Sequence, residues 1–237
     1  MKRTNLIPVL THLVGLLLVA TMMPANADVD KVYHPYVEAD TYEFESRVIS
    51  LLDSELAADF SIYRFGFGKD VNDKLFLELY LIGQKETDKN IEIEAVEIEV
   101  LYQATEQGEY WVDFGLLFEI EQERESQEWE TNIGLLFEKE FGRWSTSLNL
   151  QNFYEFQDNK RHAWNHSQAF QLRYRNSASF EPGFEAYLDK EDIFVGVVFL
   201  GQFSFGQNKL IWEVGLLQEV NNRNDESVLR ALVEYEF

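Results

Sequence analysis

Ser227-Val-Leu-Arg-Ala-Leu-Val-Glu-Tyr-Glu-Phe237 closes the chain. Leu229, Ala231, Val233, Tyr235 and Phe237 make one set of alternate positions; Val228, Arg230, Leu232, Glu234 and Glu236 make the other. Side chains on a strand alternate between faces, so this stretch has one wholly apolar face and one mostly charged face. An edge strand of a soluble sheet alternates too, so the rest of the chain has to decide between the two environments.

Eleven further stretches of the same two-faced kind precede it. They are read at 37–52, 58–67, 75–84, 91–103, 111–123, 131–141, 145–156, 167–175, 183–189, 193–205 and 209–220. The stretch 111–123 is the cleanest, with Val112, Phe114, Leu116, Phe118 and Ile120 opposite Asp113, Gly115, Leu117, Glu119 and Glu121. The stretch 91–103 slips phase: Ile91 and Ile93 are apolar at odd positions, Val96, Ile98 and Val100 at even ones. A bulge near Ala95 restores the face, because a one-residue slip would invert it. In 193–205 the second face carries Phe194, Val198 and Leu200, which a wet face does not explain. The total is twelve, with ten as the alternative. Gly142-Arg143 and Gly206-Asn208 are short links, and 157–165 and 221–226 are longer polar ones, as even-stranded membrane barrels alternate short turns with longer loops.

Composition agrees. The 237 residues carry a formal net charge of −22, 15% aromatics and no cysteine. A disordered acidic chain is poor in aromatics, so this balance fits a sheet with one apolar and one wet face. Lys2 and Arg3, the apolar run 13–23 and Ala25-Asn26-Ala27 read as a signal peptide over residues 1–27 with its cleavage site. The mature chain, 28–237, would carry about −24. It holds no second apolar run of transmembrane-helix length, so only a closed barrel could span a membrane. Residues 28–36 are expected to form a periplasmic lead-in, since Pro35 cannot donate to a ladder.

The signal peptide, the repeated strands and the terminal L-x-A-x-V-x-Y-x-F together resemble the bacterial outer-membrane β-barrel class. The opening Val32-Tyr-His-Pro-Tyr-Val-Glu38 is similar to the start of certain uncharacterised proteobacterial envelope proteins. The resemblance implies a fold and a place: an all-β, antiparallel transmembrane barrel in the outer membrane of a Gram-negative bacterium. It also implies partners, namely periplasmic chaperones, the barrel-assembly machinery, outer-membrane lipid and lipopolysaccharide. Leu229, Ala231, Val233, Tyr235 and Phe237 would be the assembly signal.

With the apolar faces in lipid, the opposite faces line a lumen. The acidic candidates are Glu78, Glu97, Glu99, Asp113, Glu119, Glu121, Glu138, Glu140, Glu185, Glu213 and Glu234. The basic ones are Arg64, Arg173, Arg175 and Arg230. Most lysines, among them Lys69, Lys74, Lys89, Lys160 and Lys190, fall in expected loops. Surplus carboxylate attracts cations and repels anions, which points to a narrow pore for small cationic or neutral solutes. The alternatives are a plugged structural or interaction barrel without transport, and a secreted soluble periplasmic β protein. No enzyme is expected: the mature chain has only His34, His162 and His166, and His166 and its neighbour Ser167 would face opposite ways on a strand. No cofactor and no metal-ligand motif is read, although loop carboxylates offer oxygen ligands to divalent cations. The acidity argues against nucleic acid.

Overall fold

A computed structural model describes residues 29–52, 58–87, 89–157, 162–190, 192–221 and 226–237. The expected signal peptide (1–27), Asp28 and Lys160 lie outside the described residues. The strands are β1 (Tyr42–Leu52), β2 (Ala58–Asn72), β3 (Leu75–Glu86), β4 (Glu92–Gln103), β5 (Asp113–Glu123), β6 (Trp129–Phe141), β7 (Trp144–Phe156), β8 (Ala163–Tyr174), β9 (Glu181–Leu188), β10 (Ile193–Phe205), β11 (Asn208–Glu219) and β12 (Ser227–Glu236). Each pairs antiparallel with its sequence neighbours, and β12 returns to β1 to close the barrel. The strand number is twelve, not ten.

The seam runs from Glu43 opposite Glu236 to Leu52 opposite Ser227. Tyr42 and Phe237 finish it by exchanging two backbone hydrogen bonds of 2.9 Å. Closure leaves no unpaired edge, the condition for crossing a hydrocarbon layer with strands. The bulge falls beside Ala95: Ile82 pairs with Ala95 and Gly83 with Ile93, leaving Glu94 as the extra residue.

The faces sort as lipid demands. Phe44, Leu79 and Val197 are each 53% exposed on the outside, while Glu78, Glu138 and Arg230 are buried inside. A soluble sandwich or lipocalin would have these reversed, so the secreted soluble alternative is overturned. Aromatic rings gather at both rims. At the rim holding Tyr42 and Phe237, here the terminal end, Phe44 stacks on Phe237 at 5.6 Å and Trp144 meets Tyr174 at 4.9 Å. At the opposite, far end, Tyr154 meets Trp164 at 4.6 Å and Trp129 stacks on Phe156 at 6.4 Å. Such girdles mark the two membrane interfaces of outer-membrane barrels, and this chain is a barrel of that type. Lys69 lies in β2, not in a loop, with its ammonium 4.8 Å from the Tyr42 ring.

The first strand starts at Tyr42, five residues later than its pattern suggests. Asp40 takes φ of 57°, a left-handed conformation that Asp tolerates better than most residues. The Asp70 carboxylate accepts from the backbone N–H groups of Asp40 and Thr41 at 3.1 and 3.0 Å and fixes this corner. Preceding residues therefore do not extend β1. They turn into the barrel.

Candidate functional site

Residues 29–37 occupy the lumen, which corrects the expected periplasmic lead-in over 28–36. Val29, Val32 and Tyr33 are buried. Val29 and Val32 pack with Ile49, Ala169, Tyr187, Phe194, Leu217 and Val228, while Tyr33 packs on Leu117 and Leu136. These wall residues point inward although apolar. They form a docking surface for the inserted segment, and this accounts for Phe194, unexplained by a wet lumen. Gly115 makes room for the chain: a Cβ there would lie 2.8 Å from the Pro35 Cβ and 2.9 Å from its Cα.

Polar contacts fix the segment along its length. Asn149, fully buried on β7, treats Tyr33 as a strand partner. It accepts from the Tyr33 N–H at 2.7 Å and donates to the Tyr33 carbonyl at 2.9 Å. The Tyr33 hydroxyl reaches Glu99 at 2.8 Å and Glu119 at 3.0 Å. These carboxylates need the contact. Glu78, Glu99 and Glu119 stand directly opposite one another across β3, β4 and β5, and like charges so placed repel. Arg64 relieves Glu97 at 2.5 Å, and Asn132 donates to Glu119.

Above this band lies a second network. Arg47 contacts Asp30 and Glu45, and Lys31 donates to Glu45 at 2.6 Å. Arg230, on the closing strand, pairs with Glu185 at 2.9 Å and Glu213 at 3.2 Å, and donates to Tyr187 Oη and to the Asp30 carbonyl. Arg47, Glu185 and Arg230 have no exposed surface at all. Buried charges of this kind hold only when paired and hydrogen-bonded, and removal of one partner strands the other.

Nearer the terminal end, His34 Nδ1 lies 2.6 Å from Glu138, and Tyr36 donates to Asp113 at 2.8 Å. His34, expected as a plain lead-in residue, thus sits beside Ser147, whose Oγ is 3.3 Å from the same Nδ1. A serine nucleophile and an orienting acid need opposite ring nitrogens, so this trio does not form a hydrolase triad. Arg173 contacts Glu181 at 3.3 Å, and Arg175 contacts Glu140 at 2.5 Å. His166 bonds Asn152 on the exposed face, away from Ser167.

Among the acidic candidates, Glu78, Glu97, Glu99, Asp113, Glu119, Glu138, Glu185 and Glu213 are buried within the barrel, as are Arg64 and Arg230. Glu121, Glu140, Glu234, Arg173 and Arg175 are half-buried. The residues missed from sequence are those of the inserted segment and Asn149. Two signals pointed to them: inward apolar residues where water was expected, and the V-x-x-V-Y run at 29–33 that matches them. The remaining space is a cavity of ≈ 620 Å³ in the terminal half, lined by Glu43, Glu78, Glu99, Glu234 and Glu236 among others. A smaller space of ≈ 160 Å³ lies beside Ile49, Ile62 and Arg64.

No protein-family model matches the chain. No curated protein matches it either. Solved structures do. The KdgM porin in complex with disordered oligogalacturonate superposes with a TM-score of 0.59 at 14% identity, over 82% of this chain and 99% of that one. The NanC porin gives 0.54 at 10% identity, over 82% and 98%. At these identities the likeness is one of fold.

Proposed function

We propose that this barrel is a narrow channel for small cationic or neutral solutes, closed at rest by residues 29–37. One observation carries the reading: the acid-lined bore accommodates an extended polypeptide, including a tyrosine and a proline. A bore that admits such a segment admits a small hydrated solute once the segment shifts. Twelve strands set a diameter between packed eight-stranded barrels and open sixteen-stranded porins. The selectivity follows from the surplus of carboxylate, which favours cations in a confined low-dielectric lumen. The KdgM porin has been seen with oligogalacturonate, a polyanion. The acid band of Glu78, Glu99 and Glu119 makes a polyanion a poor match here.

The hydrogen bonds donated by the uncharged Tyr33, Tyr36 and Val37 support displacement in place of permanent filling, because each can be exchanged for water. The test is conductance in planar bilayers of the folded full chain, of Gly115→Val and of a chain lacking residues 29–37. The wild type is expected to show low, cation-selective conductance. Gly115→Val, which pushes on Pro35, and the deletion should both raise it. Folded deletion protein without conductance would instead make this a structural barrel. That second reading draws on the density of buried ion pairs around Arg47 and Arg230.

A further inference from the structure

We infer that the terminal half of the lumen holds a divalent cation of the calcium class, with Glu43 and Glu78 as its direct ligands. Two carboxylate triads share Glu43. Ligand oxygens of Glu43, Glu45 and Glu78 lie within 4.8 Å of one another, as do those of Glu43, Glu234 and Glu236. Proximity alone makes no site, since acidic side chains often crowd without an ion. The deciding feature is Glu78. It is 2% exposed, and its Oε1 has no hydrogen-bond partner.

The wall is built to place that carboxylate. Gly66 and Gly68 on β2 leave a notch between β1 and β3. The Glu78 carboxylate lies over Gly66, where any Cβ would collide with Oε1, and the Phe76 ring lies over Gly68. Glu78 thereby crosses β2 toward Glu45, which stands opposite Gly66, and toward Glu43, which stands opposite Gly68. Glu45 is already engaged by Lys31 and Arg47. Neither Glu43 nor Glu78 forms an ion pair among the described residues.

A second acid triad gives the contrast. Glu97, Glu99 and Glu119 are as close together, yet Arg64, the Tyr33 hydroxyl and Asn132 supply their donors. In the triads around Glu43 the cations go to the outer members, Lys31 and Arg47 to Glu45 and Lys209 to Glu236 at 3.0 Å, and Glu43 and Glu78 are left outside these pairs. Calcium takes six to eight oxygen ligands in flexible geometry and accepts several carboxylates with waters. Both carboxylates border the ≈ 620 Å³ cavity, which leaves room for those waters and a route for the ion. The ion would offset repulsion that Lys31 leaves standing. This site is independent of the channel reading: conductance tests one, equilibrium binding the other.

The experiment is equilibrium dialysis of radioactive Ca²⁺ against chelator-stripped, refolded full-length protein in detergent micelles. Heat-dependent gel migration verifies folding of each sample. The wild type should bind about one Ca²⁺ per barrel, as one ion centred on Glu43 requires. Glu43→Gln and Glu78→Gln should each weaken binding at least ~10-fold, and Glu109→Gln in an exposed turn should leave it unchanged. Folded wild type without saturable Ca²⁺ binding overturns the proposal, as does equal binding by the Glu43 and Glu78 variants. If either variant fails to fold, Gly66→Val serves in its place, since it dislodges the Glu78 carboxylate without removing an acid, and loss of binding is again the expected result.

Discussion

Replacing Asn149 with leucine separates the inserted segment from the barrel wall with little change of volume. Asn149 gives Tyr33 one acceptor and one donor, at 2.7 and 2.9 Å, and has no exposed surface. β7 pairs with β6 and β8 through its backbone, so the ladder on both sides survives the substitution. The variant loses two buried hydrogen bonds and leaves the Tyr33 N–H and C=O unsatisfied. At about 1–1.5 kcal/mol each, the docked state is weakened by about 2–3 kcal/mol. That corresponds to an increase of about 30- to 150-fold in the undocked population. Hydrogen exchange read by mass spectrometry in micelles measures it. A peptide covering 29–41 should exchange faster by about that factor in Asn149→Leu, with peptides from β2, β5 and β11 unchanged. Unchanged exchange in 29–41 would refute the docking geometry. Equal acceleration in the strands would show that Asn149 supports the wall and not the segment.

Other substitutions probe the remaining layers. Arg230→Met strands the fully buried Glu185 and should cost about 3–5 kcal/mol in urea unfolding followed by tryptophan fluorescence. Adding Glu185→Gln should recover part of that loss. Leu79→Arg places a charge on the lipid face and should destabilise the barrel in bilayers by about 2–4 kcal/mol; a neutral result would contradict the membrane exposure of β3. Phe237→Ser removes a ring stacked on Phe44 at 5.6 Å and on Tyr42 at 5.8 Å, and should lower outer-membrane abundance in cells while detergent refolding still succeeds. Equal abundance of wild type and variant would remove Phe237 from the assembly signal.

The barrel was readable because its rule is local. Leu229 to Phe237 facing out and Arg230 and Glu234 facing in require only period two, and the same period repeats along eleven other segments. The phase slip at Ile93–Val96 was readable for the same reason. What escaped was the fate of Val29 to Tyr36. Those residues have no strand period, and Pro35 argued only that they precede one. Their place depends on contacts across more than 100 positions, such as Tyr33 to Asn149, which no local pattern encodes. The inward Phe194 and Leu117 were visible but ambiguous, since an apolar lumen residue needs a partner before it means anything. Glu78 and Glu43 read as two acids among many; only the notch over Gly66 and Gly68 sets them apart.

The contact between Arg230 and the Asp30 carbonyl joins groups 200 positions apart. One is near the start of the described chain, the other on the strand that completes the cylinder. The groove that receives residues 29–33 is not whole until β12 has arrived, because Val228 and Arg230 form part of it. Loop closure over such a span is entropically costly and slow, and contacts of this separation form late. Docking and seam closure are therefore coupled steps. The segment precedes every strand in the chain, yet it settles only when the ring around it is complete.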